Sequence, residues 1–197
     1  MSSERICKIS RRTAETEVSV CLALDGSGRR DIATGIPFLD HMLEHLAVHS
    51  LFDLEVRCQG DVSVDDHHSV EDIGIVLGQA LSEALGDKVG IVRYGSQLLP
   101  MDEALVLVAL DFSGRALLSY DVPGLAPKVG SFDTELVPEF LRALAQHAGL
   151  TLHVRLLHGS NSHHVLEAIF KGLGRALGQA VALDPRRAGI PSTKGVL

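Results

Sequence analysis

Two copies of one short motif carry most of the chemistry this chain could do. His67-His68-Ser69-Val70-Glu71 returns as His163-His164-Val165-Leu166-Glu167, an HHxxE pair offering nitrogen and oxygen donors and no thiolate. On a helix, the first histidine of each motif stands four residues from the carboxylate and the second stands three, so either can share its face. Adjacent helical residues diverge by about 100°, so neighbouring imidazoles do not easily reach one small ion. The simplest resolution gives each of two ions one histidine from each pair. With a pseudo-two-fold between the copies, each ion takes a His and a Glu from one motif and a His from the other. Such a mixed shell suits manganese, iron or zinc.

A second repeated block supplies a fourth donor for each ion. His41-Met-Leu-Glu-His-Leu-Ala-Val-His49 returns as Glu139-Phe-Leu-Arg-Ala-Leu-Ala-Gln-His147. It sets the imidazole of His41 opposite the carboxylate of Glu139, and both can bind metal. His49 and His147 match each other near helix ends, where a cation meets the helix dipole favourably; His49 is the lesser candidate for chemistry. His45 has Ala143 as its counterpart and reads as a surface or packing residue. His153 in a strand and His158 in a loop read as structural. Arg93, Arg115 and the tail residues Ser192 and Lys194 are types that bind phosphate well, although single cations are usually just solvated. Glu15 reads by default as an exposed turn carboxylate.

The elements that must position these residues are themselves duplicated. A third block, Leu22-Ala-Leu-Asp-Gly-Ser-Gly-Arg29, returns as Val108-Ala-Leu-Asp-Phe-Ser-Gly-Arg115, at an offset of 86, against 98 and 96 for the other two. Insertions therefore lie between the units. Each half reads as three strands, a helix, a strand and a second helix. In the first half, Glu17 to Leu24, rich in Val and Leu, reads as a strand, and Asp25-Gly-Ser-Gly28 turns the chain into another short one. Pro37 opens a helix at a position where its missing N–H costs little. Leu51 to Arg57 follows as a strand, and His67 to Leu85 as a helix with Val70, Ile73, Val76, Leu77 and Leu81 on its buried face.

The second half repeats this with strands near 91–98, 103–111 and 114–120, helices near 134–147 and 163–182, and a strand from Leu152 to Leu157 between them. The expected class is α+β: a duplicated β-β-β-α-β-α half, each half a four-stranded, mostly antiparallel sheet with two helices on one face. One domain over 1–197 is expected, with repeats at about 5–90 and 91–185 and a tail, 186–197, that binds substrate.

Composition narrows the function classes. The 46% hydrophobic content supports a packed interior. Aromatics at 4%, no Trp and a net charge of −7 argue against stacking on single-stranded nucleic acid or binding a phosphate backbone. Cys7, Cys21 and Cys58 are odd in number and lack CxxC spacing, which fits buried thiols in a reducing compartment. Met1 to Arg5 opens no apolar leader, and no stretch approaches the roughly 18 apolar residues of a membrane span. A cytoplasmic protein that binds no nucleic acid and no membrane is the expectation.

Taken together, Gly35-Ile-Pro-Phe-Leu-Asp-His-Met-Leu43, Asp66-His-His-Ser-Val-Glu-Asp72, Asn161-Ser-His-His-Val-Leu-Glu-Ala168 and Pro191-Ser-Thr-Lys-Gly195 resemble the signature segments of the imidazoleglycerol-phosphate dehydratase family. The resemblance runs from about Arg5 to Leu197. It implies histidine biosynthesis, a duplicated four-stranded sheet with two helices per half, two Mn²⁺ ions per active site, and a homo-oligomer, a 24-mer with sites at subunit interfaces. The 197 residues leave no room for the phosphatase domain fused to some relatives, so a monofunctional form is expected.

Carried over by position, the resemblance makes His41, His67, His68, Glu71, His163, His164 and Glu167 metal ligands. Glu139 would be the eighth, where many members have His. It makes His41, His49, His67, Glu71, Arg93, Arg115, Ser192 and Lys194 substrate contacts together with Glu15, and Glu15, His49, Glu71 and Glu167 catalytic. The substrate would be a phosphorylated imidazole, imidazole glycerol phosphate, and the product imidazole acetol phosphate.

The chemistry accounts for the metals. Loss of water normally needs an acidic proton beside a carbonyl, and this substrate has none. An imidazole held between two cations can lose its N–H and, as electron-rich imidazolate, expel the adjacent hydroxyl to give a diazafulvene. Removal of the neighbouring C–H proton then gives an enol and the ketone, with Glu15 as the acid/base. The same ligands would serve a metal-storage or metal-sensing protein, which would not depend on Arg93, Arg115 or Lys194. A binuclear hydrolase would hold water between its ions instead of an imidazole.

Overall fold

A computed structural model describes residues 5–197; the leader expectation for Met1 to Glu4 lies outside the described residues. The first half runs β1 (Ile6–Arg12), β2 (Thr16–Ala23), β3 (Arg30–Ala33), α1 (Pro37–Ser50), β4 (Asp53–Gly60) and α2 (His67–Leu85). The second runs β5 (Tyr94–Met101), β6 (Ala104–Asp111), β7 (Leu117–Asp121), a hairpin of β8 (Lys128–Val129) and β9 (Phe132–Asp133), then α3 (Leu136–Ala148), β10 (Thr151–His158) and α4 (Ser162–Val181).

The two sheets have matching orders, β1-β2-β4-β3 and β5-β6-β10-β7. Two of the three pairings in each are antiparallel; the short third strand lies parallel to the fourth at one edge. The expected α+β duplication is therefore the observed architecture. Alternation sets each strand's inner face: Val18, Val20 and Leu22 of β2 and Val106, Val108 and Leu110 of β6 are buried. Each such side chain contributes roughly 1.5–3 kcal/mol, so a one-residue slip that turned a row outward would be prohibitive.

Differences from the sequence reading have local causes. The strand expected from 91 begins at Tyr94, because Ile91 makes only an isolated bridge to Leu183 and Arg93 has a positive φ of 79°. The strand expected from Leu51 begins at Asp53, because Leu51 caps α1 in the left-handed region at φ 63°. The β8–β9 hairpin was not expected. It lies between β7 and α3, where the repeat offset grows from 86 to 98, and it is the insertion between the units.

The helices pair across the halves. In each half the second helix covers its own sheet and packs against the first helix of the other: α2 on α3, α4 on α1. Glycines permit the close approach. A Cβ at Gly174 would lie 2.6 Å from the Leu46 carbonyl of α1, and one at Gly74 would lie 2.7 Å from the Phe140 carbonyl of α3. This exchange brings His41 on α1 to the HHxxE motif of α4 and Glu139 on α3 to that of α2.

Candidate metal and substrate site

Both HHxxE motifs open their helices as the sequence indicates, α2 at His67 and α4 one residue ahead of His163. At α4 the side chain of Asn161 caps the first turn by accepting from the backbone N–H groups of His163 and His164. The rings within each pair diverge, with centroids 6.2 Å apart for His67 and His68 and 6.3 Å for His163 and His164, nearly perpendicular in both cases. One chain thus points the members of each pair in different directions.

The α1–α4 seam gathers one cluster. His163 Nε2 lies 3.1 Å from a Glu167 carboxylate oxygen, His41 Nε2 3.7 Å from the same oxygen, and His45 Nε2 3.5 Å from the other. His41, His45 and Glu167 each place a donor atom within 4.8 Å of the others, close enough to share one ion. Glu167 is buried, with 6% exposure. Burial pushes its carboxyl up, but Lys171, 2.5 Å away, together with His45 and His163, more than offsets this and holds it below its ordinary value. Burial also pushes His45 down to about 4, against the pull of Glu167, and its Nε2 lies 3.2 Å from His41 Nε2. The donors are imidazole nitrogen and carboxylate oxygen, which fits manganese, iron or zinc.

His45 read as surface or packing, and the structure places it inside this cluster. Its lack of a counterpart at Ala143 hid it, but i, i+4 spacing from His41 was a usable signal. Lys171, also missed, stands four residues after Glu167. The matching seam of α2 and α3 places Glu71, Glu139 and His147 around one small cavity, with Glu139 ion-paired to Arg142. The cavity lining does not include His67.

The second histidine of each motif meets other carboxylates. His68 Nδ1 lies 3.1 Å from Asp61 and 3.7 Å from Glu15, and His164 Nδ1 lies 2.7 Å from Glu103. These hydrogen bonds, to Asp61 and Glu103 respectively, are the largest cause raising both imidazoles above their ordinary value. Glu15, in the β1–β2 turn, is thereby brought to the edge of the α2 motif. His49 lines a different cavity with Ser96, Gln97, Arg175 and Gln179, and burial lowers its pKa.

The cations of the tail form a separate basin. Arg93, Arg115, Ser192 and Lys194, joined by Arg187, line a cavity of about 690 Å³. Asp111 grips the Arg93 guanidinium at 2.6 and 3.0 Å, and the Pro191 carbonyl accepts from it at 2.8 Å, tying the tail to the sheet. This basin lies where α2 and α4 end. The Arg93 N–H donates to the Ala180 carbonyl, and Gly90, just beyond α2, pairs with Gly189 and Asp184. At 1.5 Å per residue, Ala180 stands about 25 Å along α4 from His163. Within one chain the cationic basin and the histidines are at opposite ends of the helices.

Known proteins match this arrangement over most of its length. The family described as Imidazoleglycerol-phosphate dehydratase matches residues 34–177. A curated relative of that name from Cereibacter sphaeroides is 61% identical over 194 residues, covering 98% of this chain and 100% of its own. Another from Moorella thermoacetica is 60% identical over 197 residues, covering both chains entirely. The crystal structure of imidazoleglycerol-phosphate dehydratase from Staphylococcus aureus superposes with a TM-score of 0.83 at 45% identity, over 91% of this chain and 99% of that one. That from Pyrococcus furiosus, in complex with (S)-C348, gives 0.84 at 38% identity, over 96% and 100%. Family, relatives and fold agree along the chain, and the protein is a dehydratase that belongs to the imidazoleglycerol-phosphate dehydratase family.

Proposed function

We propose that this chain dehydrates imidazole glycerol phosphate to imidazole acetol phosphate in histidine biosynthesis, with two Mn²⁺ ions per active site. The observation that carries the reading is the crossed helix packing, which sets His41 of one half against His163 and Glu167 of the other. His41, His67, His68, Glu71, Glu139, His163, His164 and Glu167 would hold the ions, and His45 adds a donor beside them. Bound there, divalent ions supply the Lewis acidity that makes a ring N–H acidic and the ring electron-rich enough to expel a neighbouring hydroxyl.

The chain's own groups do the rest. Arg93, Arg115, Ser192 and Lys194 bind the phosphate and fix the glycerol chain; Glu15, exposed beside His68, moves the carbon-bound proton; His49 contacts the substrate. A three-carbon linker cannot span the length of α4. The ring site and the phosphate basin acting on one molecule therefore come from different subunits, which supports a homo-oligomer with sites at its interfaces; its size, a 24-mer, rests on the family resemblance alone. No helix among the described residues is long and apolar enough to cross a membrane, in keeping with a cytoplasmic enzyme. Incubation of metal-loaded protein with imidazole glycerol phosphate tests the reading: mass spectrometry should show loss of one water and a carbonyl that traps with hydrazine. Unchanged substrate would overturn it.

A further inference from the structure

The turn between β5 and β6 carries a carboxylate that the function above leaves unused. Glu103 turns one oxygen to the backbone, accepting from the N–H of Asn161 at 2.8 Å and of Ser160 at 3.3 Å. Its other oxygen lies 2.7 Å from His164 Nδ1. Glu103 thus already accepts two backbone N–H groups on one oxygen and meets the imidazole with the other. An ionised carboxylate only accepts, so the proton of a neutral His164 must sit on Nδ1, which leaves the lone pair on Nε2. That nitrogen faces away from Glu103, 3.7 Å from an oxygen of Asp102.

The other half repeats the device with a different residue. Asp61, in the loop after β4, sets both oxygens 3.1 and 3.2 Å from His68 Nδ1. Asp61 and Glu103 come from unrelated loops, yet both meet the same atom of the second histidine of an HHxxE motif. By contrast, His163 turns its Nε2 toward Glu167 of its own helix. A carboxylate behind a ligand imidazole fixes ring and tautomer and raises its donor strength.

We propose that Glu103 is a positioning residue that sets the tautomer of His164 and presents Nε2 as its metal-binding atom, as Asp61 does for His68. The proposal rests on His164 and His68 being metal ligands, the reading given under the function above. Glu103→Gln is the discriminating variant. Its amide oxygen must stay on the Ser160 and Asn161 N–H groups, so its NH₂ faces His164. Nδ1 then has to accept, and the ring proton moves to Nε2, the atom needed for the metal. The backbone anchor is kept while the tautomer is inverted.

The test titrates metal-free full-length protein with Mn²⁺ against a chelator and records the melting temperature of the metal-free form. Glu103→Gln should weaken Mn²⁺ binding about 10- to 100-fold at an unchanged melting temperature. Binding equal to wild type, or a loss accompanied by a lowered melting temperature, overturns the proposal. Asp61→Ala repeats the test at His68, where the side chain anchors no backbone, and should weaken binding to a similar extent. His164→Ala separates the two levels. If it binds Mn²⁺ like wild type, His164 is no ligand and the underlying reading fails. If it loses binding while Glu103→Gln does not, only the positioning role fails.

Discussion

Gly174 of α4 faces the Leu46 carbonyl of α1 so closely that a Cβ there would lie 2.6 Å from it, and 3.1 Å from the Ser50 N–H. Helix backbone cannot yield as a flexible side chain would. Gly174→Ala should push the helices apart and destabilise the protein by about 1–3 kcal/mol, read by urea unfolding. Because the same seam holds His41 against Glu167, Mn²⁺ affinity should fall with it. A fully stable variant with normal affinity would show that the glycine contact does not set the seam.

Glu15 stands 3.7 Å from His68 in a turn and anchors no helix. Glu15→Gln should keep the metal content of wild type and lose turnover by about 10²–10⁴-fold, the range of a positioned acid/base. Normal turnover would remove Glu15 from the proton transfer.

Asp53 fastens the turn ahead of β3, accepting from Ser27 and Arg29 N–H groups and pairing with the Arg29 guanidinium. The Arg29 contact is the largest cause holding its carboxyl far below the usual value, with the Ser27 N–H next. A depressed carboxyl gives stability that is present above its unfolded pKa of about 3.9 and lost as pH falls through the lower folded value. Asp53→Asn should therefore be less stable than wild type at neutral pH, and the gap should start to narrow below about pH 3.9 and close only at the lower folded value. Denaturant curves across the acid range would show it; a pH-independent gap would assign the effect to the turn geometry alone.

The positions of the chemistry were legible in the sequence to an unequal degree. The two HHxxE motifs, their helices and the opposition of His41 to Glu139 followed from the repeat, because duplication aligns residues without reference to geometry. His45 and Lys171 did not. Ala143 and Ile75 occupy the equivalent places, and only the packing of α1 on α4 reveals that both face Glu167. Glu103 was also invisible, since its partner His164 lies on another element. The two four-stranded sheets came out as expected, their strand order did not follow from periodicity, and the β8–β9 hairpin showed only as a jump in the repeat offset. Sequence periodicity reports which face is buried; which helix it is buried against depends on contacts between the halves.

Separation of the cationic basin from the histidines by the length of α4 yields a complementation test. Arg93→Ala spoils the basin, and His163→Ala spoils the ring site; each oligomer alone should be nearly inactive. Mixed by co-expression, they should regain activity, because some interfaces then join two intact parts. No recovery in verified mixed oligomers would place both parts of each site in one chain.

The central claim is metal-dependent dehydration, and titration of metal-free protein with Mn²⁺ during turnover of imidazole glycerol phosphate tests it most directly. Ketone formation should be absent without metal, rise with loading and level off at two ions per site. Full loading with no ketone, or ketone at an equal rate from the metal-free protein, would contradict it.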